Sequence, residues 1–181
     1  WVAEKMLTLV AIAVIVALQP EIRRMIEQIG QKNILAELLS FDYKERQGRF
    51  SDQTLEELIK ACFEMGKVRT GALIVIEHNS PLVEYERTGI AVDGLVTNQL
   101  LINIFEHNTP LHDGAVIIRG DRVISATCYL PLTDGRTLSK ELGTRHRAGV
   151  GISELTDSMT IIVSEETGKV SVAYKGDLYY N

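Results

Sequence analysis

The chain has few cysteines, few prolines and no excess of basic charge. Its two cysteines, Cys62 and Cys128, form neither a Cys-x-x-Cys pair nor any metal-ligand spacing. A disulfide scaffold, a zinc ribbon and thioredoxin-type redox chemistry are therefore excluded. Cys62 lies in an apolar helical pattern and Cys128 in a strand-like run, so both read as buried reduced thiols, as suits a reducing cytosol. A net charge of −5 argues against a nucleic-acid binder that relies on a broad basic surface. No Gly-x-x-x-x-Gly-Lys-Ser/Thr and no Gly-x-Gly-x-x-Gly occurs, which leaves P-loop hydrolysis and dinucleotide oxidoreduction without support. His-Glu-x-x-His is absent too, and His107 and His112, separated across Pro110, make a poor zinc pair. Neither an internal repeat nor a low-complexity tract is visible.

What remains is enough for an ordinary core. The 181 residues are 45% hydrophobic and 24% charged, which suits one domain with an appendage. Position 1 is Trp, and the chain reads as a piece cut from something longer. Met6 to Leu18 is apolar except for Thr8, but shorter than the roughly 20 residues that cross a bilayer. No small-residue cleavage site marks a signal peptide. An amphipathic or core helix is the plain reading. The run is apolar all round, however, and Arg23 and Arg24 follow it, as on the cytoplasmic side of a membrane helix. The expectation is the trimmed end of a transmembrane segment. Short helices are expected over Glu21 to Gly30 and Asn33 to Leu39, then a charged linker from Asp42 to Arg49. The domain boundary falls near Phe50, giving residues 1–49 and 50–181.

Beyond that boundary the pattern alternates. Ser51 is a good N-cap for a helix whose core face would be Leu55, Leu58, Ile59, Cys62 and Phe63, ending at Gly66. Gly71 to Ile76 is a continuous apolar run, expected as a strand covered on both faces. His78-Asn79-Ser80-Pro81 is a turn, and a polar stretch leads to a short strand at Ile90 to Val92. Thr97 or Asn98 caps a helix carrying Leu100, Leu101, Ile104 and Phe105. Ala115 to Ile118 and Val123 to Tyr129 form a hairpin around Gly120-Asp121, and Thr133-Asp134-Gly135 reads as a further turn. Arg145 to Ile152 is expected to be helical, and Met159 to Val163 with Val170 to Tyr174 make a second hairpin. The class is α/β: a mixed central β-sheet with helices on both faces, preceded by N-terminal helices.

Two clusters carry the chemistry. Gly143-Thr144-Arg145-His146-Arg147-Ala148 sets two guanidiniums, an imidazole and a hydroxyl at the expected start of a helix. Free backbone N–H groups and the helix dipole favour an anion there, and arginine forks match phosphate oxygens. The alternative is a solvated helix start whose arginines pair with surface acids. The second cluster is His112-Asp113-Gly114-Ala115, at the head of an apolar strand. Asp113 there suits a divalent cation or a hydroxyl nucleophile. Taken alone it reads as an Asx-turn residue capping the loop after Pro110, and only together with the basic cluster does it become a candidate.

In order and in spacing, Asp113-Gly114-Ala115 and Gly143-Thr144-Arg145-His146-Arg147 resemble the Asp-Gly-Ala and Arg-His-Arg motifs of the diadenylate cyclase (DAC) domain. The likeness covers about Phe50 to Tyr174, including Thr70-Gly71-Ala72-Leu73. The helix ending at Gln19-Pro20-Glu21-Ile22-Arg23-Arg24 resembles the end of the third transmembrane helix in membrane-anchored, CdaA-type cyclases. The resemblance implies condensation of two ATP into cyclic di-AMP with loss of two pyrophosphates, at the interface of a face-to-face dimer. It implies Asp113 beside the attacking 3′-hydroxyl with Mn2+ or Mg2+, and Gly71, Gly114 and Ala115 lining the nucleotide. Tyr129 and Leu130 would cover adenine, with plain core packing as their alternative. Thr144, Arg145, His146 and Arg147 would clamp the triphosphate, with Ser164 nearby. His112 and Glu166 are further candidate metal ligands. Implied partners are a YbbR-domain membrane regulator and phosphoglucosamine mutase, with no nucleic acid. The implied location is the cell membrane, catalytic domain on the cytoplasmic side. Ala148-Gly149-Val150-Gly151 departs from expectation, being richer in glycine than a helix prefers. Two rival readings remain: a nucleotide sensor that catalyses nothing, and a membrane-tethered scaffold.

Overall fold

The structure is a computed structural model that describes residues 5–6, 50–134 and 142–180. The chain divides into two units, Trp1–Glu45 and Arg46–Asn181, and the second is described below. The apolar run over 7–18, the helices over 21–30 and 33–39 and the linker over 42–49 lie outside the described residues, as does Gly135. Among the described residues no helix is long and apolar enough to cross a membrane.

Helix α1 (Asp52–Lys67) starts at the expected cap: Ser51 Oγ accepts from the Thr54 N–H at 3.3 Å. A second carboxylate reinforces it from far along the chain. Asp121 accepts from the Ser51 N–H and from Thr54 Oγ1, each at 2.7 Å. The buried stripe of α1 is Thr54, Leu58, Ala61, Cys62 and Met65. This corrects the expected face, because Leu55, Ile59 and Phe63 are 42%, 47% and 58% exposed. The helix is apolar over two adjoining stripes, and periodicity cannot choose which one meets the sheet.

Strand β1 (Ala72–Ile76) is buried throughout. A four-residue helix, α2 (Val83–Glu86), interrupts the stretch read as merely polar. Strand β2 (Ile90–Leu95) runs three residues longer than expected, and α3 (Asn98–Phe105) is capped by Thr97, whose side chain accepts from Leu100 N. Strands β3 (Ala115–Arg119) and β4 (Arg122–Cys128) form the first hairpin. Helix α4 (Thr144–Leu155) begins at the basic cluster. Strands β5 (Met159–Val163) and β6 (Val170–Tyr174) form the second hairpin, and β7 (Asp177–Tyr180), not foreseen, extends it.

Among the described residues the strands make one mixed seven-stranded sheet in the order β2-β4-β3-β1-β5-β6-β7. Of these, β1 and β3 pair in parallel, and the other pairings are antiparallel. Strand periodicity divides the core. Ala72, Ile74, Ile76, Val116 and Ile118 pack beneath α1 and α3, with Leu58, Met65, Leu101 and Phe105. Leu73, Val75, Ala115 and Ile117 pack on the other face against Ala148, Val150 and Ile152 of α4. Both cysteines are buried and free, and burial raises the Cys62 thiol to about 11.

The glycines of α4 have a packing cause. A Cβ on Gly149 would stand 2.9 Å from Ile162 Cδ1, and one on Gly151 would stand 2.8 Å from Thr133 N. The helix lies too close to the sheet and to the 131–133 segment for larger residues. Helix propensity yields to close approach.

Asp121 offers a test of this frame. Bonds from Ser51 N and then Thr54 hold its carboxyl below the ordinary range. A carboxylate with a depressed folded pKa contributes stability above its unfolded pKa and loses it as pH falls through the folded value. Asp121→Ala is expected to cost about 1 kcal/mol near neutral pH. In urea titrations the difference should shrink as pH is lowered below the ordinary aspartate range.

Candidate active site

The sheet topology gives its two edges different characters. At the edge where β1 and β3 end, charges are paired. Arg119 Nη2 donates to Glu77 at 2.7 Å and also pairs with Glu86. Asp157 accepts from Ser80 N at 2.9 Å and Asn79 N at 3.1 Å and pairs with His78 at 3.2 Å. Burial would raise the Asp157 carboxyl, but these bonds outweigh it and hold the group well below its usual range.

The edge where β1 and β3 begin is open. Antiparallel partners bring the last residues of β4 and β5 to it, since Ala115 pairs with Cys128 and Ala72 with Val163. A cleft of about 400 Å3 lies there. Asp113 and Gly114 enter it from the loop before β3, Tyr129 and Leu130 from the end of β4, Thr144 and Arg145 from the start of α4, and Glu165 from the β5–β6 turn. Asp113 makes no hydrogen bond or ion pair with a described residue, so the Asx-turn reading fails. Gly114 has φ +118°, and a Cβ there would stand 2.7 Å from the carbonyl carbon of Thr127. Backbone thus meets backbone beside the carboxylate, and only glycine fits. Thr127 itself has φ +61°, an uncommon conformation for a β-branched residue, at an irregular stretch of the β3–β4 pairing.

At the start of α4 the N-cap is Gly143, which supplies no side-chain acceptor. The first-turn N–H groups therefore face outward with the dipole. Arg145 Nη1 is ion-paired with Glu165, and Arg145 Nε is buried without a partner among the described residues. A Cβ on Gly71 would stand 2.7 Å from Arg145 Nη1, so this glycine forms the floor beneath the guanidinium. A second cavity of about 370 Å3 adjoins, sharing Thr144, Arg145 and Glu165 and adding His146, Ser164 and Glu166. His146 is 8% exposed; burial lowers its pKa, opposed by the charge of Glu166. It offers a hydrogen bond rather than a charge at neutral pH.

Four expected residues line neither cavity, and of these Gly71 meets the site only through the Arg145 and Glu165 side chains above it. Ala115 is fully buried in the core and packs rather than lines. Arg147 lines neither cavity; its carbonyl accepts from Thr133 N at 3.1 Å. His112 also lines neither; its Nδ1 donates to the Thr109 carbonyl at 2.6 Å. Among the described residues no three His, Cys, Asp or Glu side chains converge as a metal cage. Asp113 and Glu165 supply two hard oxygen ligands to one cleft. Two carboxylates fit a hard divalent cation that takes its remaining ligands from elsewhere.

Residues 59–178 match the family described as "DAC: DisA bacterial checkpoint controller nucleotide-binding". The chain belongs to the DAC family. It is 48% identical to a diadenylate cyclase of Listeria monocytogenes and 49% identical to the cyclic di-AMP synthase CdaA of Bacillus subtilis. Each match covers 99% of this chain and 64% of the relative, so the chain spans less than two thirds of the length of these curated relatives. The fold agrees with a crystal structure of a double mutant of DacA from Staphylococcus aureus, at a TM-score of 0.70 and 50% identity over 71% of this chain and 86% of that one. A second solved structure, described as a hypothetical membrane spanning protein from Bacillus cereus, superposes with a TM-score of 0.69 at 34% identity, over 99% of this chain and 88% of the other.

Among the charged residues lining the cleft, sequence reading missed Glu165. It named both neighbours, Ser164 and Glu166, but strand parity beyond β5 does not say which turn residue faces the arginine. The only signal was position: an acid immediately after a buried strand that the topology returns to the Asp113 edge.

Gly114→Ala tests the backbone contact. It combines a disfavoured φ with steric overlap, and should lower stability by about 2 kcal/mol or more. Thermal unfolding should report this loss even without ligand; an unchanged midpoint would contradict the contact.

Proposed function

We propose that this chain is the catalytic part of a diadenylate cyclase that condenses two ATP into cyclic di-AMP and releases two pyrophosphates. The observation that carries this reading is the convergence of Asp113 with Thr144 and Arg145 on one cleft, although the two motifs are separated in sequence. Family membership and the names of the relatives support it. We assign the catalytic domain to residues 50–181 and read 1–49 as the end of a transmembrane helix with its juxtamembrane linker. Membrane attachment, with the domain on the cytoplasmic side, is proposed on that ground. The likeness to a Bacillus cereus protein described as membrane spanning supports attachment. A YbbR-domain membrane regulator and phosphoglucosamine mutase are carried forward as proposed partners.

The chemistry follows from the groups present. Each ATP contributes a 3′-hydroxyl that attacks the α-phosphorus of the other, and each α-phosphorus loses pyrophosphate. Asp113 accepts a hydrogen bond from the attacking hydroxyl and draws its proton away. The first-turn N–H groups of α4, with Thr144 and Arg145, hold the triphosphate and stabilise charge on the departing pyrophosphate. A divalent cation bound with the nucleotide would neutralise phosphate charge and acidify the hydroxyl. Two identical links in the product call for two facing sites in a C2 dimer. Tyr129 and Leu132, 70% and 56% exposed, line the cleft and leave apolar surface for adenine or for the second protomer.

Incubation with ATP and Mn2+ or Mg2+, followed by chromatographic separation, tests the activity: cyclic di-AMP and pyrophosphate are expected. Asp113→Asn should keep nucleotide affinity within about threefold yet lower product formation at least about a hundredfold. Normal turnover in that variant would refute the role of Asp113. Arg145→Ala should weaken ATP binding by about tenfold or more while leaving adenosine binding nearly unchanged; equal losses measured by calorimetry would refute the clamp.

A further inference from the structure

The cleft at Asp113 has an unexpected charge for a polyanion site. Its charged side chains are Asp113, Arg145 and Glu165, two carboxylates against one guanidinium. Arg145 is only partly available to offset phosphate charge, because its Nη1 is ion-paired with Glu165 while its Nε has no partner among the described residues. The arginine side chain is 22% exposed and the glutamate 54%, so the acid is the member open to solvent. Gly71 closes the floor beneath both: a Cβ there would stand 2.7 Å from Nη1 and 2.9 Å from Glu165 Oε2. Carboxylate and phosphate oxygens match the same guanidinium fork. Glu165 therefore occupies a place that a phosphate oxygen would take.

We propose that Glu165 is a positioning residue that holds Arg145 in the cleft until a triphosphate displaces it, and so makes the cleft favour cation-bound over bare nucleotide. The inference rests on the reading of this cleft as the ATP site. A bare triphosphate meets two carboxylates and one guanidinium whose charge is already partly answered. A triphosphate carrying a divalent cation presents positive charge to Asp113 and Glu165, and Arg145 then turns to the phosphate oxygens. Removing the charge of Glu165 leaves one carboxylate against one guanidinium. Bare nucleotide gains most from that change. The cation-bound form gains little, because it loses an attractive carboxylate together with a competitor for Arg145.

The test uses the whole chain and 3′-deoxy-ATP, which lacks the attacking hydroxyl, with affinity measured by calorimetry in excess Mg2+ and again in EDTA. Glu165→Gln should bind the bare nucleotide about tenfold more tightly than the unsubstituted protein, the effect of one charge at a largely solvated site. Its affinity in Mg2+ should change by less than about threefold. Glu165→Asp, which keeps the charge, should retain the original ratio of the two affinities. An unchanged ratio in Glu165→Gln, equal shifts in both conditions, or weaker binding in both would overturn the role of Glu165. If the unsubstituted protein binds the nucleotide in neither condition, the ATP reading itself falls and this inference with it. If it binds in Mg2+ and only the ratio fails to move, Glu165 alone is refuted.

Discussion

The parallel pairing of β1 with β3 is the constraint on which the site depends. Ile74 lies opposite Val116 and Ile76 opposite Ile118, so both strands start at the same edge. Antiparallel neighbours then return the ends of β4 and β5 to that edge. Four chain segments distant in sequence meet there without any long side chain having to reach. Reversing this one pairing would send the loop before β3 to the opposite edge, away from Arg145. The pairing is held by core packing on both faces, which leaves the edge loops free to carry polar groups.

The two edges show how the fold separates stability from chemistry. Where the parallel strands end, Arg119 is answered by Glu77 and Glu86, and Asp157 by backbone N–H groups and His78. These groups are satisfied within the protein. Where the strands begin, Asp113 has no partner among the described residues, the cap of α4 has no side chain, and Arg145 keeps a buried donor unmatched by any of them. Of these only Arg145 Nε is buried, and a buried donor left unmatched is costly; Asp113 and the cap of α4 lie open to solvent and are free to meet a ligand. On the proposed reading, a phosphate-bearing ligand with its cation would supply that complement.

Much of this was legible from the residues. The unbroken apolar run of Gly71 to Ile76 marked a doubly covered strand, and Ala115 to Ile118 marked one arm of a hairpin. Ser51, Thr97 and the Gly120-Asp121 turn mark their element boundaries by local hydrogen-bonding and steric rules, and these act within a few residues of chain. The basic cluster at a helix start was legible for the same reason. The face of α1 was not, because two apolar stripes compete and only the sheet and α3 select Leu58, Ala61 and Cys62. Strand β7 was missed because Asp177 to Tyr180 has no core pattern; its pairing with β6 comes from an available edge.

By itself, the sequence determined the identities of the reactive groups, the helix that carries the basic cluster and the strand that follows Asp113, because each rests on interactions within a short stretch of chain. Tertiary structure alone decided that these groups share a cleft, that Glu165 rather than Glu166 meets Arg145, and that His112 and Arg147 stand outside it. It also decided that Gly149 and Gly151 serve packing in a helix they would otherwise weaken. The physical reason is common to all of these. Contact across a sheet edge depends on strand order, direction and interlayer distance, and these quantities are set by the packing of the whole core rather than by any local pattern.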